Sequence, residues 1–312
     1  MSSRDLPRRS FLHMGVYGLL LSRSEAASAA PSPPTVPRDS PPAAEIAALA
    51  ARAHGRLGFC IHDSASRTEW GNLLDERFAL CSTFKLPLVA AILQQVDQGR
   101  LQLQQVVRYS QADVVPHAPV TSQHLARGSM TLADLMQAAQ QQSDNVAANL
   151  LLKFLGGPAG FTAILRGWGD RETRLDRSEP MMNLVLPGEQ FDTTTPRAMA
   201  RTASRILCSD LLSAASRSLL VTWMQATATG DKRIRAGLPK AWRAGDKTGT
   251  GMAPRMTNKY NDVAITWPTD RAPLIITAYY DTATIREQVS DADQALLADV
   301  GRLAARWVAT SR

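Results

Sequence analysis

The chain has 312 residues, 45% apolar and 20% charged, and its 35 Lys and Arg outweigh 28 Asp and Glu to give +7. That balance fits one large folded domain or two ordinary ones, and excludes a disordered or collagen-like chain; three cysteines are too few for a disulfide scaffold. No uncharged apolar run reaches the length of a membrane-spanning helix, which speaks against a polytopic helical membrane protein, and the basic excess is a faint nucleic-acid signal carried by 29 Arg and only six Lys.

At the N-terminus, Arg8-Arg9-Ser10-Phe11-Leu12 precedes a short apolar stretch from Met14 to Leu21 and then Ala27-Ser28-Ala29. A charged region, an apolar region too short to span and a small-residue cleavage site, in that order, predict a twin-arginine export signal over residues 1–29. Cleavage near Ala29 leaves 31 basic and 26 acidic side chains, a net +5, and implies an exported, periplasmic protein with no membrane contact after processing. Six prolines in residues 30–42 predict an extended tether. Ser40-Pro41 reads as the cap and first turn of a helix carrying Ile46 and Leu49 and ending near Gly55.

Beyond Gly55 the period becomes two: Leu57, Phe59 and Ile61 alternate with Gly58, Cys60 and His62, and a polar turn leads to a second strand near Trp70. From Ser82 to Trp223 the signals are helical. They include Leu86 to Gly99, Thr131 to Gln141 opened by a Thr131-x-x-Asp134 capping box, and Asn145 to Leu155 stopped by Gly156-Gly157. Trp168 to Pro196 is a long polar stretch without periodicity, a kind of segment that is uncommon in compact domains and usually functional. Strands return at Trp242–Thr250, Asp262–Trp267 and Pro273–Tyr280, and an amphipathic helix closes the chain from Asp291 to Ala309. Strands at both ends with helices between them predict an α+β fold: an antiparallel sheet built from both termini, flanked by helices, with an inserted all-α domain. The expected boundaries are 43–80 with 226–312 for a discontinuous α/β domain and 81–225 for the all-α domain.

Ser82-Thr83-Phe84-Lys85 places a hydroxyl and an amine three residues apart, on one face of a helix start where free N–H groups and the helix dipole favour an oxyanion. Alone this pattern is weak, since a chain of this composition carries roughly 0.4 such pairs by chance. Ser143-Asp144-Asn145, about sixty residues on, and Lys247-Thr248-Gly249, about a hundred further, complete an ordered set of three. Gly-x-Ser-x-Gly, His-Glu-x-x-His, Cys-x-x-Cys and a phosphate-cradling glycine loop do not occur, and the five histidines stand isolated.

This ordered set resembles that of the class A serine β-lactamases, and the resemblance covers nearly the whole chain after residue 42. Asp75-Glu76-Arg77-Phe78, Pro119-Val120-Thr121 and Arg235-Ala236-Gly237-Leu238-Pro239 also look like that family, as do Arg177-Ser178-Glu179-Pro180, Asn183 and Asp192 in the polar stretch. The resemblance implies the serine β-lactamase and penicillin-binding fold, with an omega loop at 177–192 closed by Arg177 and Asp192 and a cis peptide before Pro180. It implies β-lactam hydrolysis and antibiotic resistance, with Ser82 as nucleophile, Lys85 and Glu179 as bases and Ser143 as proton donor to the leaving nitrogen. Which of Lys85 and Glu179 takes the first proton stays open.

Asn145, Asn183, Lys247, Thr248, Gly249, Thr250 and Arg233 are implied in binding substrate or the hydrolytic water, with His117 at a rim position where many members carry an aromatic residue. For Arg233 a surface position is the alternative. No metal or cofactor is implied, the partners are small β-lactams and not nucleic acid, and the expected state is a monomer. Some carbapenem-hydrolysing members pair the Cys before the nucleophile with one after Lys-Thr-Gly-Thr; here Gly251 stands there, so Cys81 lacks that partner. Cys60 and Cys208 are expected free and buried. Two alternatives share part of the pattern: a D-Ala-D-Ala peptidase and a non-catalytic β-lactam sensor, neither of which needs Glu179 or Asn183.

Overall fold

The computed structural model describes residues 43–253 and 256–310. The expected export signal, tether and Ser40-Pro41 cap lie outside the described residues.

Helix α1 (Ala43–Arg52) leads into β1 (Gly55–Asp63) and β2 (Glu69–Asn72), then a two-residue strand β3 (Phe78–Ala79). A 3-10 turn at Cys81–Phe84 runs directly into α2 (Lys85–Asp97). The middle of the chain holds β4 (Val106–Arg108), β5 (Ser129–Thr131), α3 (Leu132–Gln141), α4 (Asn145–Phe154) and α5 (Gly157–Gly167). After the polar stretch come β6 (Thr193–Thr194), α6 (Pro196–Cys208) and α7 (Ala214–Gln225). The last part is β7 (Arg243–Gly251), β8 (Lys259–Trp267), β9 (Leu274–Thr282) and α8 (Asp291–Thr310).

Side-chain caps fix the helix starts. Thr131 and Asp134 form a reciprocal capping box on α3, while Asp144, Thr195 and Ser213 cap α4, α6 and α7. The Gly156-Gly157 pair stops α4, yet Gly157 also opens α5, a helix that the sequence reading passed over. Gly156 and Gly157 both sit in the left-handed region (φ 80° and 76°), so the chain turns sharply and Pro158 restarts a helix bent 70° from the last.

The five-stranded sheet runs β2-β1-β9-β8-β7, every neighbouring pair antiparallel, so β1 from the start of the described chain lies beside β9 from its end. Strict alternation makes one face of β1 carry Leu57, Phe59 and Ile61, which pack with Trp307 and Val300 of α8. The opposite face contributes Cys60, Val263 and Ile265 to a second, larger core with α2, α4 and α6. Both faces are therefore covered, and eight of the nine residues of β8 are buried. Cys60 and Cys81 are free and buried, whereas Cys208 is exposed, contrary to its expected burial. The helical period directs Met199, Ala203 and Ile206 of α6 inward and leaves its last residue facing out.

Candidate active site

At the junction of sheet and helices, the turn before α2 presents Ser82, and Lys85 follows it one helical turn later with its side chain fully buried. Lys85 Nζ lies 2.9 Å from Ser82 Oγ, 2.5 Å from Asn145 Oδ1, 2.8 Å from the Ser143 carbonyl and 2.9 Å from Glu179 Oε1. An ammonium has three hydrogens, so these four acceptors exceed what it can serve at once. Burial lowers the Lys85 pKa from its ordinary value, and the Glu179 carboxylate opposes that shift.

Ser143 closes the other side. It takes a left-handed backbone (φ 57°) just before α4, and its Oγ sits 3.1 Å from Lys247 Nζ and 3.4 Å from Lys85 Nζ. Asp144 caps α4 through Ala147 N and also accepts from Val120 N, Thr121 N and Thr121 Oγ1, tying the helix start to the 119–121 segment. Asn145 Nδ2 donates to the Pro116 carbonyl and its backbone N–H to the His117 carbonyl. His117 reaches that position with φ 62°, and its exposed ring lines the mouth of the pocket. Partial burial, reinforced by the Lys85 charge, holds the His117 pKa below its usual value.

Strand β7 forms the facing wall. Lys247 is fully buried, and burial together with the Lys85 charge lowers its pKa well below normal. Gly249 lets β7 run close to the nucleophile turn: a Cβ there would crowd the Leu80 carbonyl at 3.0 Å and Ser82 N at 3.2 Å. Thr248 Oγ1 pairs with Thr229 Oγ1 at 2.5 Å, and Thr250 Oγ1 accepts from Arg233 Nη2 at 2.6 Å. Arg233 is 3% exposed, which rules out the surface alternative; Nη1 donates to the Gly249 and Asn261 carbonyls, both at 2.7 Å. Behind this wall, burial pushes the Asp246 carboxyl up to about 6 against the opposing Arg235 guanidinium, 2.6 Å away.

The polar stretch supplies the fourth side. Asp192 Oδ2 meets Arg177 Nε at 2.5 Å, while its Oδ1 accepts from Asp176 N and Arg177 N. This closes the neck of a loop whose Glu179-Pro180 peptide is cis. Glu179 Oε1 accepts from Ser82 Oγ at 3.4 Å, and Asn183 Nδ2 donates to Oε2. Asn149 holds the Glu179 backbone from both sides, donating to its carbonyl at 2.9 Å and accepting from its N–H at 3.0 Å.

All twelve residues singled out from the sequence thus converge on one region, where a pocket of about 1060 Å³ opens with Ser82 and Ser143 at its surface. Asn149 and Thr229 were missed. Asn149 carried one usable signal, since it stands four residues after Asn145 on the same helix face. Among the described residues no cluster of His, Cys, Asp and Glu could hold a metal ion.

A serine beside a buried lysine, with a second serine between two lysines and a loop carboxylate within reach, defines an active-site serine hydrolase. A family profile described as the "Beta-lactamase enzyme family" matches residues 41–308. The chain is 41% identical over 259 residues to β-lactamase CTX-M-8 of Citrobacter amalonaticus, covering 83% of this chain and 86% of that one. It is 41% identical over 238 residues to β-lactamase SME-1 of Serratia marcescens, covering 76% and 80%. An ancestral class A β-lactamase structure superposes with a TM-score of 0.79 at 48% identity, covering 84% of this chain and 98% of that one. A β-lactamase from Xanthomonas campestris gives 0.79 at 46%, covering 85% and 96%. The chain belongs to the β-lactamase family and is a class A serine β-lactamase, a hydrolase of β-lactams that confers resistance to them.

Proposed function

We propose that hydrolysis proceeds through a serine acyl-enzyme that Glu179 releases. Ser82 Oγ attacks the lactam carbonyl, and its proton passes to the Lys85–Glu179 pair. The two groups lie 2.9 Å apart, so a proton taken by one has a direct path to the other. The N–H groups of Ser82 and Thr250 hold the developing oxyanion, where loss of one such donor typically costs about 2.7–4 kcal/mol of transition-state stabilisation. Ser143 Oγ, between Lys85 and Lys247, returns a proton to the departing nitrogen. Lys247, Thr248 and Thr250, backed by Arg233, hold the substrate carboxylate.

Glu179 then activates a water that attacks the ester, with Asn183 fixing the carboxylate. The observation that carries this reading is the placement of Glu179 within reach of both Ser82 and Lys85. A D-Ala-D-Ala peptidase or a β-lactam sensor needs no such carboxylate. Twin-arginine export to the periplasm is supported by the sequence of residues 1–29.

The test is nitrocefin turnover by the processed protein beside Glu179→Ala, with intact-mass detection of the adduct. Sustained turnover by the parent, against a stoichiometric burst and a stable adduct on Ser82 in the variant, supports the mechanism. A stoichiometric burst from the parent itself overturns it.

A further inference from the structure

A second cavity of about 780 Å³ lies between the β1–β2 turn, the loop after α5 and one face of α6, and it shares no lining residue with the catalytic pocket. This volume is in the range of small-molecule sites. Its charge is one-sided. Arg67 projects from the turn, Arg171 from the loop, and Arg201 and Arg205 stand four apart on α6.

The acids nearby are already engaged. Glu69 takes Arg201 in two bonds of 2.7 Å and also accepts from His62, Glu172 pairs with Arg77, and Asp170 accepts from Glu172 N, Thr173 N and Thr202 Oγ1. Among the described residues, Arg67, Arg171 and Arg205 have no acidic partner and no side-chain hydrogen bond. Three separate segments therefore bring three unneutralised guanidiniums to one cavity. The hydroxyls of Ser64 and Ser204 lie there beside the Cys208 thiol.

We propose that this groove is a binding site for a small phosphate-bearing anion, held by Arg67, Arg171 and Arg205. A guanidinium is a planar fork that meets phosphate oxygens in pairs. Three guanidiniums carried by three segments suit the several oxygens of a phosphate or pyrophosphate better than the single edge of a carboxylate.

Cys208 is the exposed cysteine of the three and lines this groove, so its alkylation by neutral iodoacetamide reports occupancy, with buried Cys60 and Cys81 as internal controls. Inorganic pyrophosphate is the probe. At about 10 mM against a Kd of about 1 mM, Cys208 alkylation slows roughly tenfold. Acetate and sodium chloride at matched ionic strength leave the rate unchanged, and the Arg171→Gln, Arg205→Gln double variant loses the protection. Nitrocefin turnover by the double variant equals that of the parent, showing that it is folded. Equal protection by sodium chloride, by acetate or in the double variant, or no protection at all, overturns the proposal.

Discussion

Replacing Asp192 by Ala tests whether the neck of the omega loop holds Glu179 in place. Asp192 is fully buried, and its carboxylate accepts from Asp176 N at 2.7 Å, Arg177 N at 2.9 Å and Arg177 Nε at 2.5 Å. Truncation orphans all three donors. An unsatisfied buried donor costs about 1–3 kcal/mol, and removing one partner of a buried charge pair costs about 3–5 kcal/mol. Arg177 keeps 27% of its side chain exposed, so water recovers part of the guanidinium loss. The lower end, roughly 3 kcal/mol, is expected, which is a fall in Tm of about 6–12 °C for a chain of this size.

The catalytic consequence is separable from the loss of stability. Ser82, Lys85 and Ser143 lie outside the loop and still acylate, whereas Glu179 loses its frame. A displacement of about 1 Å lowers the deacylation rate on the order of 100-fold. Thermal unfolding by circular dichroism and stopped-flow nitrocefin hydrolysis read the two effects. A Tm within about 2 °C of the parent, with unchanged steady-state turnover, would show that the neck carboxylate does not position Glu179.

Three further outcomes follow from the geometry. A Cβ built at Gly251 lies 2.9 Å from Cys81 Sγ, close to the Cβ-to-sulfur separation within a disulfide, so Gly251→Cys bridges to Cys81 on oxidative refolding. Thiol titration of the unfolded variant then finds two free groups against the parent's three, and four refutes the geometry. Because burial raises Asp246 to about 6, the unfolded chain ionises first, and the stability present below pH 3.8 is lost as pH rises through the folded value, by about 1.4 kcal/mol per unit. Asp246→Asn therefore gains stability relative to the parent between about pH 4 and 6 in urea unfolding; a relative loss would show that Arg235 holds the carboxyl ionised. Arg233→Ala removes a charged donor to Thr250 Oγ1, and kcat/KM for nitrocefin falls about 10- to 100-fold, from about 1.5–3 kcal/mol, chiefly through KM. An unchanged KM would detach Arg233 from the anion wall.

The fold was legible where local chemistry decides it. Period-two alternation marked β1, and Thr131 with Asp134 marked the start of α3. The α5 helix was hidden because a glycine pair is a stop signal in sequence, and only the left-handed turn at Gly156-Gly157 makes it a start as well. Cys208 was misjudged for a related reason: composition suggested a buried thiol, but helical phase at the last residue of α6 decides exposure. Alternation in β1 gave no sign that its second face is covered too, since Gly58 and Cys60 are small enough to admit a helix layer. In the site, Ser82–Lys85, Ser143–Asn145 and Lys247–Gly249 were legible because each motif lies on one continuous segment. Asn149 and Thr229 act on Glu179 and Thr248 across 30 and 19 positions, and no short pattern records such contacts.

The order of strands in the sheet also governs when the enzyme can come into being. The central strand, β9, is the last of the five to leave the ribosome, and it must slot between β1, made more than two hundred residues earlier, and β8. Closing so long a loop is entropically slow, and no stretch of sheet made before it can substitute. A chain halted just after Gly251 would already contain every catalytic side chain and still have no active site. Translation must therefore run past the catalytic residues before the protein can hydrolyse anything.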